Sequence, residues 1–204
     1  MVAKRSERRT VAKPAATLAR RRFSVDEYDR MIEAGILQED EHVELLGGEI
    51  VCMAPIGIPH ANAVSFLLNW FARRLPDAYH VRVQDPIRVP PNAEPEPDLV
   101  LVRGLIGTYS RAHPGPADVL LLIEVADTSL AHDREVTGPL YAAAGIPDYC
   151  LLDLAGEQVL VHREPKRGSY TRVETVRRGG TVAPLAFPDL LLPLDELLGP
   201  APQA

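Results

Sequence analysis

The stretch Val119-Leu120-Leu121-Leu122-Ile123-Glu124-Val125-Ala126 constrains this chain more than any other. A short, nearly unbroken apolar run is the pattern of a strand covered on both faces, so it predicts a central strand in a layered α/β domain. One residue inside it is an acid. A carboxylate in such surroundings has to be paired, protonated or metal-bound, because desolvating a lone charge is costly. No apolar run exceeds the five residues of Val119–Ile123, far too few to cross a bilayer, so no membrane association is expected.

The flanking pattern supplies the other layers. Ser24 and Glu27 form an S-x-x-E capping box ahead of a helix over 24–34, and Gly35 supplies its stop. Gly47-Gly48 between Val43–Leu46 and Glu49–Met53 reads as a two-residue hairpin. Val64, Leu67, Leu68, Phe71 and Leu75 recur at helical spacing over 60–75, ended by Pro76. Tyr79–Val83, Pro86–Val89 and Leu99–Val102 read as strands, and Tyr149–Leu154 with Gln158–Arg163 as a further strand pair. A weaker helix is predicted over 131–144, with Gly138-Pro139 kinking or delaying it. Tyr170–Val176 reads as an edge strand and Leu190–Leu198 as a short terminal helix or turn. The fold class that follows is α/β, a mixed β-sheet flanked by α-helices.

The 204 residues suit one domain with a tail. Residues 1–22 form a basic, disordered tail of net charge +7, 23–198 the folded domain with 199–204 as a short C-terminal tail, and everything after residue 22 carries −13. A tail of that charge can touch phosphates, while the acidic body does not resemble a non-specific DNA-coating protein. Without a signal-like apolar stretch, and with only Cys52 and Cys150, which fit reduced thiols, the chain is expected to be soluble and cytoplasmic.

Phosphate-binding, dinucleotide, nucleophile-elbow and zinc motifs are missing from the sequence. What remains is a set of acids beside buried strands: Asp98 before Leu99–Val102, Glu124 within its apolar run, and Glu44 in Val43-Glu44-Leu45. Singly, each reads equally well as a cap or a salt-bridge partner. If adjacent strands bring Asp98 and Glu124 together, their repulsion would be relieved by a divalent cation, which takes oxygen ligands.

The ordered set Glu44-Leu45-Leu46-Gly47-Gly48-Glu49-Ile50, Met53-Ala54-Pro55, His60, Pro97-Asp98-Leu99-Val100 and Ile123-Glu124-Val125 resembles the Uma-two family. These are restriction-endonuclease-like proteins of the PD-(D/E)XK superfamily. The resemblance continues through Asp133-Arg134-Glu135-Val136, Leu140-Tyr141-Ala142 and Ala144-Gly145-Ile146-Pro147-Asp148-Tyr149 to Leu151-Leu152-Asp153-Leu154, and covers roughly 23–198. It implies a restriction-endonuclease-like fold with a site at one end of the sheet, and a metal-dependent endonuclease acting on DNA. In that resemblance Asp98 matches the Asp of the PD pair, Glu124 the acid of the next strand, and Glu44 the acid from the N-terminal part. With the Val125 carbonyl they would hold Mg²⁺ or Mn²⁺. A homodimer fits a nuclease that cuts both strands.

One position departs from that pattern. Ala126 stands third in the (D/E)-x-K motif, and the family lysine expected four residues after Asp133 is Thr137. The three lysines, Lys4, Lys13 and Lys166, lie elsewhere. On a helix Arg134 would share a face with Thr137 and could supply the missing charge, though it is a poor proton carrier. The alternative is a catalytically weakened nuclease fold that binds DNA or a protein partner. His60 reads as a helix cap or a substrate-facing residue, Tyr141 and Tyr149 as filling between helix and sheet, Trp70 as core or a dimer contact, and His132–Asp133 as a surface pair.

Overall fold

A computed structural model describes residues 19–38 and 40–200; most of the basic tail and 201–204 lie outside the described residues. The first layer is α1 (Val25–Glu33) and a hairpin of β1 (Val43–Leu46) and β2 (Glu49–Cys52). Both bonds of the capping box form: Ser24 Oγ accepts from Glu27 N–H, and Glu27 Oε2 accepts from Ser24 N–H. Gly47 and Gly48 both have positive φ, 56° and 85°, the turn that matches strand twist in a two-residue hairpin. The last bases before the domain engage this hairpin, Arg22 pairing with Glu49 at 3.2 Å and donating to the Gly47 carbonyl.

After α2 (Ile58–Ala72) come β3 (Tyr79–Arg82), β4 (Leu99–Arg103) and β5 (Val119–Ala126). A crossover of α3 (Leu130–His132), a π-helical turn over Asp133–Thr137 and α4 (Gly138–Ala144) leads to β6 (Asp148–Asp153). Then follow β7 (Gln158–Lys166), β8 (Ser169–Arg177), a small pair of β9 (Thr181–Val182) and β10 (Leu192–Pro193), and α5 (Leu194–Leu198). The six-stranded sheet has order β3-β4-β5-β6-β7-β8. Only β5 and β6 run parallel; the other neighbours are antiparallel.

Every residue of β5 is buried, as its apolar run predicts. Leu121, Ile123 and Val125 pack with Leu67, Phe71 and α5 on one face, while Val119, Leu122 and Ala126 pack with Tyr141, Tyr149 and Ile87 on the other. Trp70 is core, edge-on to Phe71 with ring centroids 5.0 Å apart. Val25, Tyr28 and Leu45 form a third, smaller core under the hairpin. Among the described residues no helix is long and apolar enough to cross a membrane, and both cysteines are free.

Pro86–Val89, read above as a strand, is instead an extended loop with one isolated bridge, Val89 to Ala93. Pro86 and Pro90 lack N–H groups, and the remaining donors go to different segments: Ile87 to Pro95 O, Arg88 to Pro114 O and Val89 to Ala93 O. The loop is fastened by its own side chain. Arg88 donates to Asp26, Asp29 and Glu94, tying α1 to the segment that leads into β4.

Candidate active site

Antiparallel pairing of β4 with β5 sets Leu99 opposite Ile123, and the same register carried one step outward brings Asp98 to Glu124. Each reaches across to the other's strand. Asp98 N–H donates to Glu124 Oε2 at 3.1 Å, and Val125 N–H donates to Asp98 Oδ2 at 2.8 Å. Asp98 Oδ1 meets His60 Nε2 at 2.8 Å and receives Gln84 Nε2 at 3.4 Å. Tyr141 of α4 donates to Glu124 Oε1 at 2.6 Å. Glu44 enters from β1 and accepts from Glu96 N–H at 3.1 Å through Oε2.

Burial and mutual repulsion set the electrostatics. Burial pushes the Glu124 carboxyl well above its usual range, and the Asp98 charge adds to the effect. Burial raises Asp98 too, opposed by the Val125 N–H and by His60. Glu44 is pushed up to about 7 by burial, with the charges of Glu96, Asp133 and Asp98 acting in the same direction. Asp133, raised mainly by burial, also acts on all three. Glu44, Asp98, Glu124 and Asp133 therefore form one electrostatic cluster. Among the described residues no Lys or Arg forms an ion pair with any of them; the His60 imidazole alone among the histidines contacts one, at Asp98.

Asp133 was expected to be a surface partner of His132 and is not. It is 7% exposed and accepts from Ser129 Oγ at 2.6 Å. It lies at the start of the π-helical turn, where Gly138 N–H bonds Asp133 O five residues back, and the following Pro139 has no N–H to offer the Glu135 carbonyl. Thr137 Oγ1 at 3.0 Å and Tyr149 OH at 3.3 Å converge on the Asp133 carbonyl. A Cβ on Gly138 would lie 3.1 Å from that oxygen, tighter than most real contacts, so glycine suits this spot.

The wide turn also separates two residues expected on one face. Thr137 is buried, whereas Arg134 is exposed, because α-helical spacing does not hold across the turn. The structure thus brings Asp98 and Glu124 together with the Val125 N–H, sets Glu44 near enough to feel the Asp98 charge but bonded to Glu96 N–H instead, and leaves Arg134 outside the hydrogen-bonded network. His60 is no helix cap, since Gly57 holds that position; it lies in the first turn of α2 and binds Asp98. Tyr141 and Tyr149 are both fully buried between helix and sheet, as expected, but the Tyr141 phenol holds a site carboxylate as well.

Gln84 carried no sequence signal as a lone residue. Extending the β3–β4 register from Arg82–Val100 would have placed it opposite Asp98. Its φ of 50° is left-handed, an unfavourable conformation for a non-glycine residue and one that concentrates at functional sites.

The donor chemistry fits a hard divalent cation: several carboxylates crowd one another without a balancing Lys or Arg. The side chains as they stand are satisfied by N–H and O–H donors, and no group of three or more His, Cys, Asp and Glu among the described residues is spaced to hold a metal. Occupancy would require Asp98 or Glu124 to share its oxygens with the ion, or Glu44 to turn toward it.

A family model described as "Uma2: Putative restriction endonuclease" matches residues 25–195. Among solved structures, one described as a putative nuclease belonging to DUF820, from Anabaena variabilis, has the same fold. Its TM-score is 0.63 at 15% sequence identity, over 86% of this chain and 97% of that one. No curated protein sequence matches the chain significantly.

Proposed function

The chain belongs to the Uma2 family, and we propose that it is a metal-dependent nuclease that hydrolyses phosphodiester bonds in DNA. The observation that carries this reading is the largely buried pair Asp98 and Glu124, cross-bonded between adjacent strands at one end of the sheet without an ion-paired Lys or Arg among the described residues. Glu44, Asp98 and Glu124 would hold Mg²⁺ or Mn²⁺, with the Val125 carbonyl and Asp133 as further oxygen donors. Such an ion, when bound, polarises a phosphate and eases ionisation of water.

The chain's own groups do the positioning. Val125 N–H and His60 grip the two oxygens of Asp98, so its carboxylate plane is fixed before any ligand arrives. Tyr141 fixes Glu124 in the same way. Burial keeps bulk water from screening these charges, which strengthens their action on a phosphate or a cation.

Calorimetric titration of Mn²⁺ into wild type, Asp98→Ala and Glu124→Ala, beside cleavage of plasmid DNA in Mn²⁺, tests the reading. Binding and cleavage in wild type, both lost in the two variants, is the expected result. A wild type that neither binds Mn²⁺ nor cuts DNA overturns it.

Thr137 favours a second reading, a catalytically weakened nuclease fold that binds DNA or a protein partner. It stands where the family lysine is expected, and its hydroxyl is spent on a backbone carbonyl. Thr137→Lys should then raise cleavage strongly, and an unchanged rate would count against a missing-lysine defect.

A further inference from the structure

The two edges of the six-stranded sheet are guarded unequally. β3 is four residues long and half-buried throughout. β8 runs for nine residues, carries neither Pro nor Lys, and is exposed at seven positions. An edge that long, with open N–H and C=O groups, is a template for another strand, and natural proteins usually blunt such edges. At its middle the sequence reads Thr171-Arg172-Val173-Glu174-Thr175, with Val173 50% exposed.

We propose that β8 pairs antiparallel with β8 of a second copy of this chain, centred on Val173, joining two six-stranded sheets into one. The segment is chemically symmetric about that residue. In this register Val173 faces its own copy, Arg172 faces Glu174 twice, and Thr171 faces Thr175 twice. Directly opposed apolar, opposite-charge and Thr–Thr pairs are the kinds that stabilise neighbouring strands. A two-fold axis requires this reciprocity, residue i meeting j while j meets i. A slip of two residues either way sets Arg172 against Arg172 or Glu174 against Glu174, so the charges select the register as well as the partner. Within one chain Arg172 and Glu174 already pair with each other on one face; across the axis the two pairs would alternate in sign.

Sedimentation velocity on the full chain tests this, with circular dichroism to confirm folding. The wild type is expected to be dimeric at micromolar concentration. Arg172→Glu makes the segment doubly acidic and Glu174→Arg makes it doubly basic, and each should raise the dimer dissociation constant about tenfold or more. An equimolar mixture of the two variants should dimerise again, because acidic then meets basic at both positions. This last result separates pairing between chains from the pair within one chain. A wild type that stays monomeric, a dimer indifferent to both substitutions, or a mixture that fails to associate would each overturn the proposal.

Discussion

Asp148 and Glu124 sit on adjacent strands, β6 and β5, and both are buried, yet their surroundings differ in sign. Asp148 is fully enclosed and fully matched: Arg163 Nε lies 2.8 Å from one oxygen, and Leu185 N–H donates to the other at 2.7 Å. Arg163 in turn donates to Ala183 O, so the pair also anchors the chain leaving β9. Glu124 has comparable burial but meets Asp98 and Asp133 as like charges, with only N–H and phenol donors to oppose them. The first arrangement holds the fold together. The second stores electrostatic cost at one end of the sheet, which a ligand of opposite charge would release.

Removing a carboxylate should therefore act in opposite directions in the two places. The largest effect is expected at Asp148→Ala, which deprives the half-buried Arg163 guanidinium and the Leu185 N–H of their shared partner and should cost about 3–5 kcal/mol in urea denaturation. A loss under 1 kcal/mol would erase the contrast.

Glu44→Gln should do the reverse. Its carboxyl is raised in the folded state to about 7 from an ordinary value of 4.5, so its favourable contribution is present below pH 4.5 and is lost as pH rises through 7. The variant should gain stability at pH 8, on the order of 3 kcal/mol at most, and the gain should vanish near pH 4. Denaturation curves at the two pH values check the sign; a loss at pH 8 would mean that the ionised form is held favourably after all.

Glu124→Gln should lower DNA cleavage about a hundredfold while leaving thermal stability unchanged or higher. Parallel loss of both would place Glu124 with Asp148 as a fold-holding residue. The smallest effect is expected at Tyr141→Phe, which removes one hydrogen bond worth about 1 kcal/mol and loosens Glu124. Its signature is weaker Mn²⁺ binding, by a few-fold, with little change in fold.

The layered sheet was legible because its signals are local and strong: an apolar run too rich for a surface strand, a Gly-Gly hairpin and a capping box. The acids Asp98, Glu124 and Glu44 could be nominated because a charge among apolar neighbours stands out in one dimension. Gln84, His60 and the Tyr141 phenol do not stand out in that way. Their parts depend on strand register and on how α2 and α4 lie over the sheet, and neither is written in a single segment. Pro86–Val89 misleads for a related reason, since alternation alone does not reveal that Pro86 and Pro90 interrupt the ladder. The kink expected at Gly138-Pro139 does not by itself reveal the wide turn before it, so α-helical spacing sets Arg134 beside Thr137, and the neighbouring His132 suggests a surface pair for Asp133.

That same wide turn acts as a phase adjuster between the two halves of the crossover. In an unbroken α-helix Asp133 and Tyr141, eight positions apart, would point about 80° away from each other. One extra residue absorbed by the turn makes eight positions count as seven, and the mismatch shrinks to about 20° in the other direction. Both side chains then act on the same glutamate, Asp133 through its charge and Tyr141 through its hydroxyl. Forcing that turn into α-helical geometry at unchanged length would thus rotate α4 away from its target, whereas deleting one residue from 134–137 would leave the two side chains in phase.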